Sequence, residues 1–490
     1  MRLALAFASL LLCLGAGSVA DARAASVDGP DARVLTVFGG GSRPLAEGVE
    51  AAQSDGALIE HLAELPDGSI AFTEYIGPVS TGGVTTVLWR IDPRGFLRRI
   101  PSPADWRITG IAAEPEGTLL VVREKSQDIV RIDPATGRRS VAVTLPPGFP
   151  GSTSGLDKLV RLPDGSLYTR NYDLWRIDAM GSARGLRSIG GESAAIAGTE
   201  DAILASDGER VIRIAPDGTA RRAALKPFQA AATLTDGSLL LAPVADSLGF
   251  ANLPGGLTLL RREKTRPLTV VPRYGNGDGA APRFATLSPK AVAPARDGGA
   301  ILADEGTIRV ITAGPTSRPL VAFDPRTFAG LADGQVTVVS TVAGRVKVTL
   351  RTRAGVVARA SGAVEPGTTK IALPGEFARG RYELAVSLVT PDGARTAGRT
   401  AADTRPFRLV DARRTAREYA SSQLGGETGE RTFFDGAAKN CRRRSATRID
   451  CRLVQVTDAS GRISRTCAGS LILRRGPGEP LTLEGSRRCR

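Results

Sequence analysis

LPDGSIAFTE, residues 65–74, is a tight polar turn followed by a short apolar strand, and it recurs along the chain. Copies read EPEGTLLVVR (114–123), LPDGSLYTRN (162–171), LTDGSLLLAP (234–243) and ARDGGAILAD (295–304), with a shorter sixth, TEDAILASD (199–207). A second motif trails each copy, as in VLWRIDPRG (87–95), DIVRIDPATG (128–137) and RVIRIAPDG (210–218). Aspartate and glycine are the residues such turns need, one to bond the backbone and one to take positive φ. Each unit therefore reads strand, D-G turn, strand, loop, strand, D-P-x-G turn, strand. The copies fall about every 46 residues, the length of a four-stranded propeller blade. One twisted sheet cannot bury both its faces; six packed radially cover one another and leave few open edges. The expected fold is all-β, with a six-bladed β-propeller over residues 33–323. Residues 34–38, VLTVF, match LTVV at 268–271, so they are expected to close the ring as the outer strand of the last blade.

These repeats resemble an NHL-repeat propeller, most specifically over 275–311, GNGDGAAPRFATLSPKAVAPARDGGAILADEGTIRVI. The likeness spans about residues 33–315 and extends to streptogramin lyases and gluconolactonases. A lyase of that kind implies a histidine working with an acidic residue and a metal. A lactonase implies inward carboxylates and amides around a metal ion.

The residues themselves favour neither. His61 is the single histidine and lies in an apolar inner strand, IEHLAEL, so any histidine-based acid–base or nucleophilic chemistry has to use it. Superposing the repeats puts one equivalent position at the end of each second strand: Glu74, Arg123, Asn171, Asp207, Pro243 and Asp304. Four could offer oxygen to a cation such as calcium, but the arginine and the proline interrupt the set. Glu74, Arg123, Asn171, Asp207 and Asp304 stand as candidate ligand-binding residues, with no catalytic residue, metal or cofactor assigned. Loop lengths point the same way. The long connections (39–55, 75–86, 146–155, 244–255 and 273–282) all join strands across one face of a propeller, where binding sites usually form.

Outside the repeats, residues 1–24 have the short basic start, apolar stretch and small-residue end of a cleaved signal peptide. No later segment is apolar enough to span a membrane. Residues 324–410 alternate polar and apolar, as in RVKVTLRTR (345–353), and resemble an immunoglobulin or fibronectin β-sandwich, with Tyr382 at a candidate corner. Residues 411–490 read as a small α+β module, beginning with a helix over 412–424 and holding Cys441, Cys451, Cys467 and Cys489. An even, clustered set in an exported chain implies disulfides, with 441–451 a candidate hairpin and the other pairings open.

The net charge of +15 comes with about seven arginines per lysine, which codon bias accounts for over most of the chain. In 411–490, where 17 basic residues face 9 acidic ones, the run Arg442, Arg443 and Arg444 is a candidate face for an acidic polymer. The expectation is a secreted, periplasmic or cell-envelope protein that binds a protein or carbohydrate without catalysis. A metal-dependent propeller hydrolase or lyase is the alternative.

Overall fold

The computed structural model describes residues 26–76, 85–145, 157–188, 195–243, 257–268, 287–403, 436–455, 467–474 and 482–489, with short internal gaps at 125, 163–164, 171–172, 179, 200–201, 207–209, 262–263, 288, 305, 315, 325–326, 328–330, 376, 378–379 and 445–447. The segments read as a signal peptide (1–24) and as a helix (412–424), and most of the long loops, fall outside these residues. Among the described residues, no helix is long and apolar enough to cross a membrane.

Six four-stranded antiparallel sheets account for residues 33–312. Their innermost strands are Ile59–Glu64, Ile108–Ala113, Asp157–Arg161, Ala195–Gly198, Phe228–Thr233 and Pro289–Pro294. Each packs against the next, and the sixth packs against the first, so the ring is closed. Residues 33–312 form a six-bladed β-propeller. Arg33–Phe38 is the outer strand of blade six, with Val34 opposite Ile311 and Leu35 opposite Val310. A strand from the N-terminal end thus completes the sheet built by the last repeat.

The turn chemistry is the one the repeats encode. The Asp67 carboxylate accepts from the Ser69 amide at 2.8 Å and from its hydroxyl at 2.9 Å, and Gly68 takes φ +83°. Asp92, Asp217 and Asp236 bond the backbone in the same manner. Between blades the apolar faces interlock: Ile70, Phe72 and Trp89 of blade one share a core with Ile301, Ile308 and Val310 of blade six.

After Thr312 the chain leaves the ring. Val321–Phe323, Gln335–Ser340 and Gly367–Ala372 form one sheet; Gly344–Thr352, Gly355–Val364, Arg381–Val389 and Arg395–Asp403 form another. Both contribute to one apolar core, in which Phe323, Val336, Val348, Ile371 and Leu384 meet. Tyr382 is buried there, edge-on to Phe377. This second unit docks on blade one. Arg395 donates its amide to Arg94 O at 2.9 Å, and the Arg94 side chain reaches Asp392 O at 3.1 Å. Gly95 has to be glycine twice over, since its φ is +86° and a Cβ would lie 2.1 Å from Arg395 O.

One long loop departs from its expected place. Residues 39–55 run back along the short outer strand of blade one, where Gly48 donates to Leu97 O, Leu97 to Val49 O and Ala51 to Gly95 O. The loop covers an open sheet edge, which would otherwise expose unpaired backbone groups. It also brings Glu50 to Arg395 of the second unit, 3.3 Å away.

The last four strands, Gly436–Arg443, Arg448–Gln455, Cys467–Arg474 and Thr482–Cys489, make one meandering sheet. Cys441 and Cys451 are joined by a disulfide. Cys467 and Cys489 stand directly opposite each other in the strand register.

Candidate functional site

The six inner strands surround an axial channel, and each of the six contributes to its wall. Antiparallel register identifies its two ends. The strands begin at the end that also carries the second-strand ends, since Ile59 faces Glu74, Ile108 faces Arg123 and Pro289 faces Asp304. They finish at the end that carries the D-G turns.

Five of the six inner strands begin with a break in register. The breaks fall between Ile59 and Leu62, Ile108 and Gly110, Asp157 and Leu159, Phe228 and Ala230, and Pro289 and Ala291. A bulge inserts a residue that has no ladder partner and re-aims its side chain. The residues placed there are Glu60 and His61, Thr109, Lys158, Gln229 and Lys290. Glu60, His61, Lys158, Gln229 and Lys290 all line the channel. Lys158 takes φ +59°, an uncommon backbone for a residue with a side chain.

Lys158 belongs to blade three and Lys290 to blade six, so the two face each other from opposite sides of a six-fold ring. Lys158 and Glu60 are half-buried and Lys290 is exposed. Among the described residues, none of these three side chains has an ion-pair partner. Gln229 donates to Pro289 O at 3.1 Å, tying blade five to blade six. His61 is buried, and its Nε2 lies 3.4 Å from the Tyr75 hydroxyl, which itself donates to Ile108 O at 2.9 Å. Burial holds the His61 imidazole well below its ordinary range, and the Lys158 charge adds to the effect. His61 is therefore neutral at pH 7, and Lys158 acts electrostatically across the mouth.

The residues singled out from the repeats lie at the same end, but each described one is engaged within its own blade. Glu74 accepts from Trp89 Nε1 at 2.7 Å. Arg123 stacks on Trp106, 4.4 Å from the ring centre, and donates to Ser126. Asp304 is buried in an ion pair with Arg309 at 3.2 Å. Asn171 and Asp207 lie outside the described residues. The described members do not make a cradle for a divalent cation: the Glu74 and Asp304 carboxylates are committed to a tryptophan and an arginine, and Arg123 puts a cation at an equivalent position. Among the described residues, no three histidine, cysteine or acidic side chains gather as metal ligands.

Of the bulge residues, only His61 was singled out from the sequence. A signal for them existed. Each is a polar residue set just before the apolar run of an inner strand, as in LDKLVR (156–161), PFQAAA (227–232) and SPKAVA (288–293).

In the C-terminal sheet, Arg442 and Arg444 are exposed, and Arg443 is opposite Ile449 in the register. Asp450 faces Arg442 across the strands and accepts from Arg444 Nε at 3.2 Å, so part of this basic run is already balanced.

No protein-family model matches the chain, and no curated protein sequence does. Among solved structures, the chain is similar to a streptogramin B lyase (TM-score 0.36, 12% identity, covering 58% of this chain and 98% of that one). It is also similar to the calcium-binding protein regucalcin from Agrobacterium tumefaciens (TM-score 0.37, 13% identity, 55% and 94%). A luciferin-regenerating enzyme is a third (TM-score 0.35, 12% identity, 55% and 95%).

Proposed function

We propose that the chain is a binding protein of the cell envelope or the medium, which holds its ligand at the bulged mouth of the propeller without transforming it. The observation that carries this reading is the ring of bulges, which turns charged and polar side chains into one small channel and leaves three of them without ion-pair partners among the described residues. Polar groups converging on one concavity, rather than spread over the surface, are what orients a ligand. Export fits the N-terminal sequence and the Cys441–Cys451 disulfide, which belongs in an oxidising compartment.

Absence of turnover is part of the reading. Glu74 and Asp304 already hold structural partners, and His61 sits in an apolar strand with its basicity suppressed. A screen of lactones and esters with added calcium, zinc or manganese tests this. The expected result is no turnover above background. Metal-dependent hydrolysis abolished by Glu60→Gln or His61→Ala would replace the binding reading with an enzymatic one.

A further inference from the structure

We propose that the bulged mouth takes the oxyanion end group of its ligand, a phosphate or a carboxylate, between the ammonium groups of Lys158 and Lys290. This rests on the binding reading above and names the chemistry of the same site. The first support is placement. Blades three and six are opposite in the ring, so an anion on the channel axis meets a cation on either side. Two like charges held around a narrow, low-dielectric mouth repel each other unless something negative comes between them, and the walls focus their field on the axis.

The second support is residue choice. This chain uses about seven arginines for every lysine, yet both basic bulge residues are lysines. Codon drift toward arginine does not produce that. An ammonium is a compact point charge on a flexible stem, able to approach a small anion end-on, whereas a guanidinium fork needs a broad, flat approach. Arginine elsewhere in this molecule does the pairing work, as with Glu64, Glu114 and Asp304.

Size is the third. The cavity is about 90 Å³, room for roughly three waters. Pockets that engulf a whole drug-sized ligand run to about 300–1,000 Å³. One end group enters here, and the rest of the ligand stays on the surrounding face, where Leu58 and Ile76 are exposed. Glu60 is the opposing charge; it disfavours any anion and leaves the mouth with a net charge of one.

Titration calorimetry on the full chain tests the proposal, with inorganic phosphate and sodium acetate as separate probes and sodium chloride at matched ionic strength as the reference. Saturable one-to-one binding of at least one probe is expected, and the tighter of the two identifies the end group. Lys158→Gln and Lys290→Gln should each weaken it about tenfold or more. Glu60→Gln should tighten it by about threefold, a gain that a misfolded variant cannot mimic. Arg444→Gln should leave it unchanged. The proposal is overturned if neither anion saturates above chloride, if the lysine variants bind normally, or if Arg444→Gln removes the binding. The first of these outcomes would still leave the mouth as a binder of neutral ligands, whereas metal-dependent turnover would remove the binding reading itself.

Discussion

The two mouths of the channel are built from the same six strands and treat charge in opposite ways. At the turn end, Glu64 closes the first inner strand, accepting from the Arg318 guanidinium and from the Arg296 amide. Glu114 is bonded there by Arg131 at 2.5 and 2.8 Å, and Arg161 lies 3.7 Å away. Against the pull of burial, the bonds from Arg131 and Thr118 hold the Glu114 carboxyl below its ordinary range. At the bulged end, four residues earlier on the strand that ends in Glu64, Glu60 has no such partner among the described residues, and neither do Lys158 and Lys290. The contrast separates two uses of the same chemistry. Paired charges at one end hold blades and the second unit together, whereas the proposed function gives the charges at the other end to a ligand.

The sharpest way to break this comparison is to show that a residue sits on the wrong side of it. Asp304 looked like a ligand in the repeats and is a structural ion pair with Arg309. Asp304→Ala takes the carboxylate away from a buried guanidinium, and breaking such pairs costs about 3–5 kcal/mol. Denaturant unfolding should show a drop of that order; an unchanged midpoint would return Asp304 to the ligand set.

A matched pair of variants comes next. Arg318→Ala leaves Glu64 buried without its cation. Burial already pushes the Glu64 carboxyl up, with Arg318 only partly offsetting that. A loss of about 3 kcal/mol is expected. Lys158→Gln, at the other mouth, should move stability by no more than about 0.5 kcal/mol, because it breaks no ion pair. Equal losses in both variants would erase the difference between the two ends.

How much of this was legible beforehand follows from what each residue has to do. Turn chemistry is local, so Asp67-Gly68 or Asp92-Pro93-Arg94-Gly95 declared blade and fold from sequence alone. Ring closure was legible because residues 34–38 keep the strand pattern of the blade they complete. The mouth was not legible. Superposing repeats on the D-G turn aligns second strands correctly, but a bulge shifts the register on the first strand, and blade three bulges one position nearer its turn than blades two, five and six. Lys158 and Lys290 therefore never aligned. Engagement was equally invisible: that Glu74 bonds Trp89, or that Arg123 lies over Trp106, depends on cross-strand geometry rather than on residue type.

A smaller effect should appear with pH. His61 titrates near its ordinary value when unfolded and well below it when folded, so the unfolded chain binds more protons in between. Stability is then fully present above about pH 6.5 and falls as pH drops toward the folded value, by at most about 1.4 kcal/mol per pH unit. Lys158 and Tyr75 are the groups set against the ring, one by its charge and one by its hydroxyl. Thermal midpoints of the native chain and His61→Gln between pH 7 and 5 should diverge; parallel curves would mean that His61 is solvated and that the mouth is wetter than its burial indicates.

The C-terminal sheet gives the smallest signal, a mass shift. Cys441–Cys451 is bonded and Cys467 lies opposite Cys489, so alkylation of the native chain should label no thiol in residues 436–490 and four after reduction. Two labels before reduction would leave the second pair open as free cysteines.

The most direct measurement is a crystal structure of the chain grown with selenate, whose selenium is located by anomalous scattering. The account predicts a peak on the channel axis between the Lys158 and Lys290 ammonium groups. Selenium bound only at surface arginines, with the bulged mouth empty and its lysines turned to solvent, would contradict it.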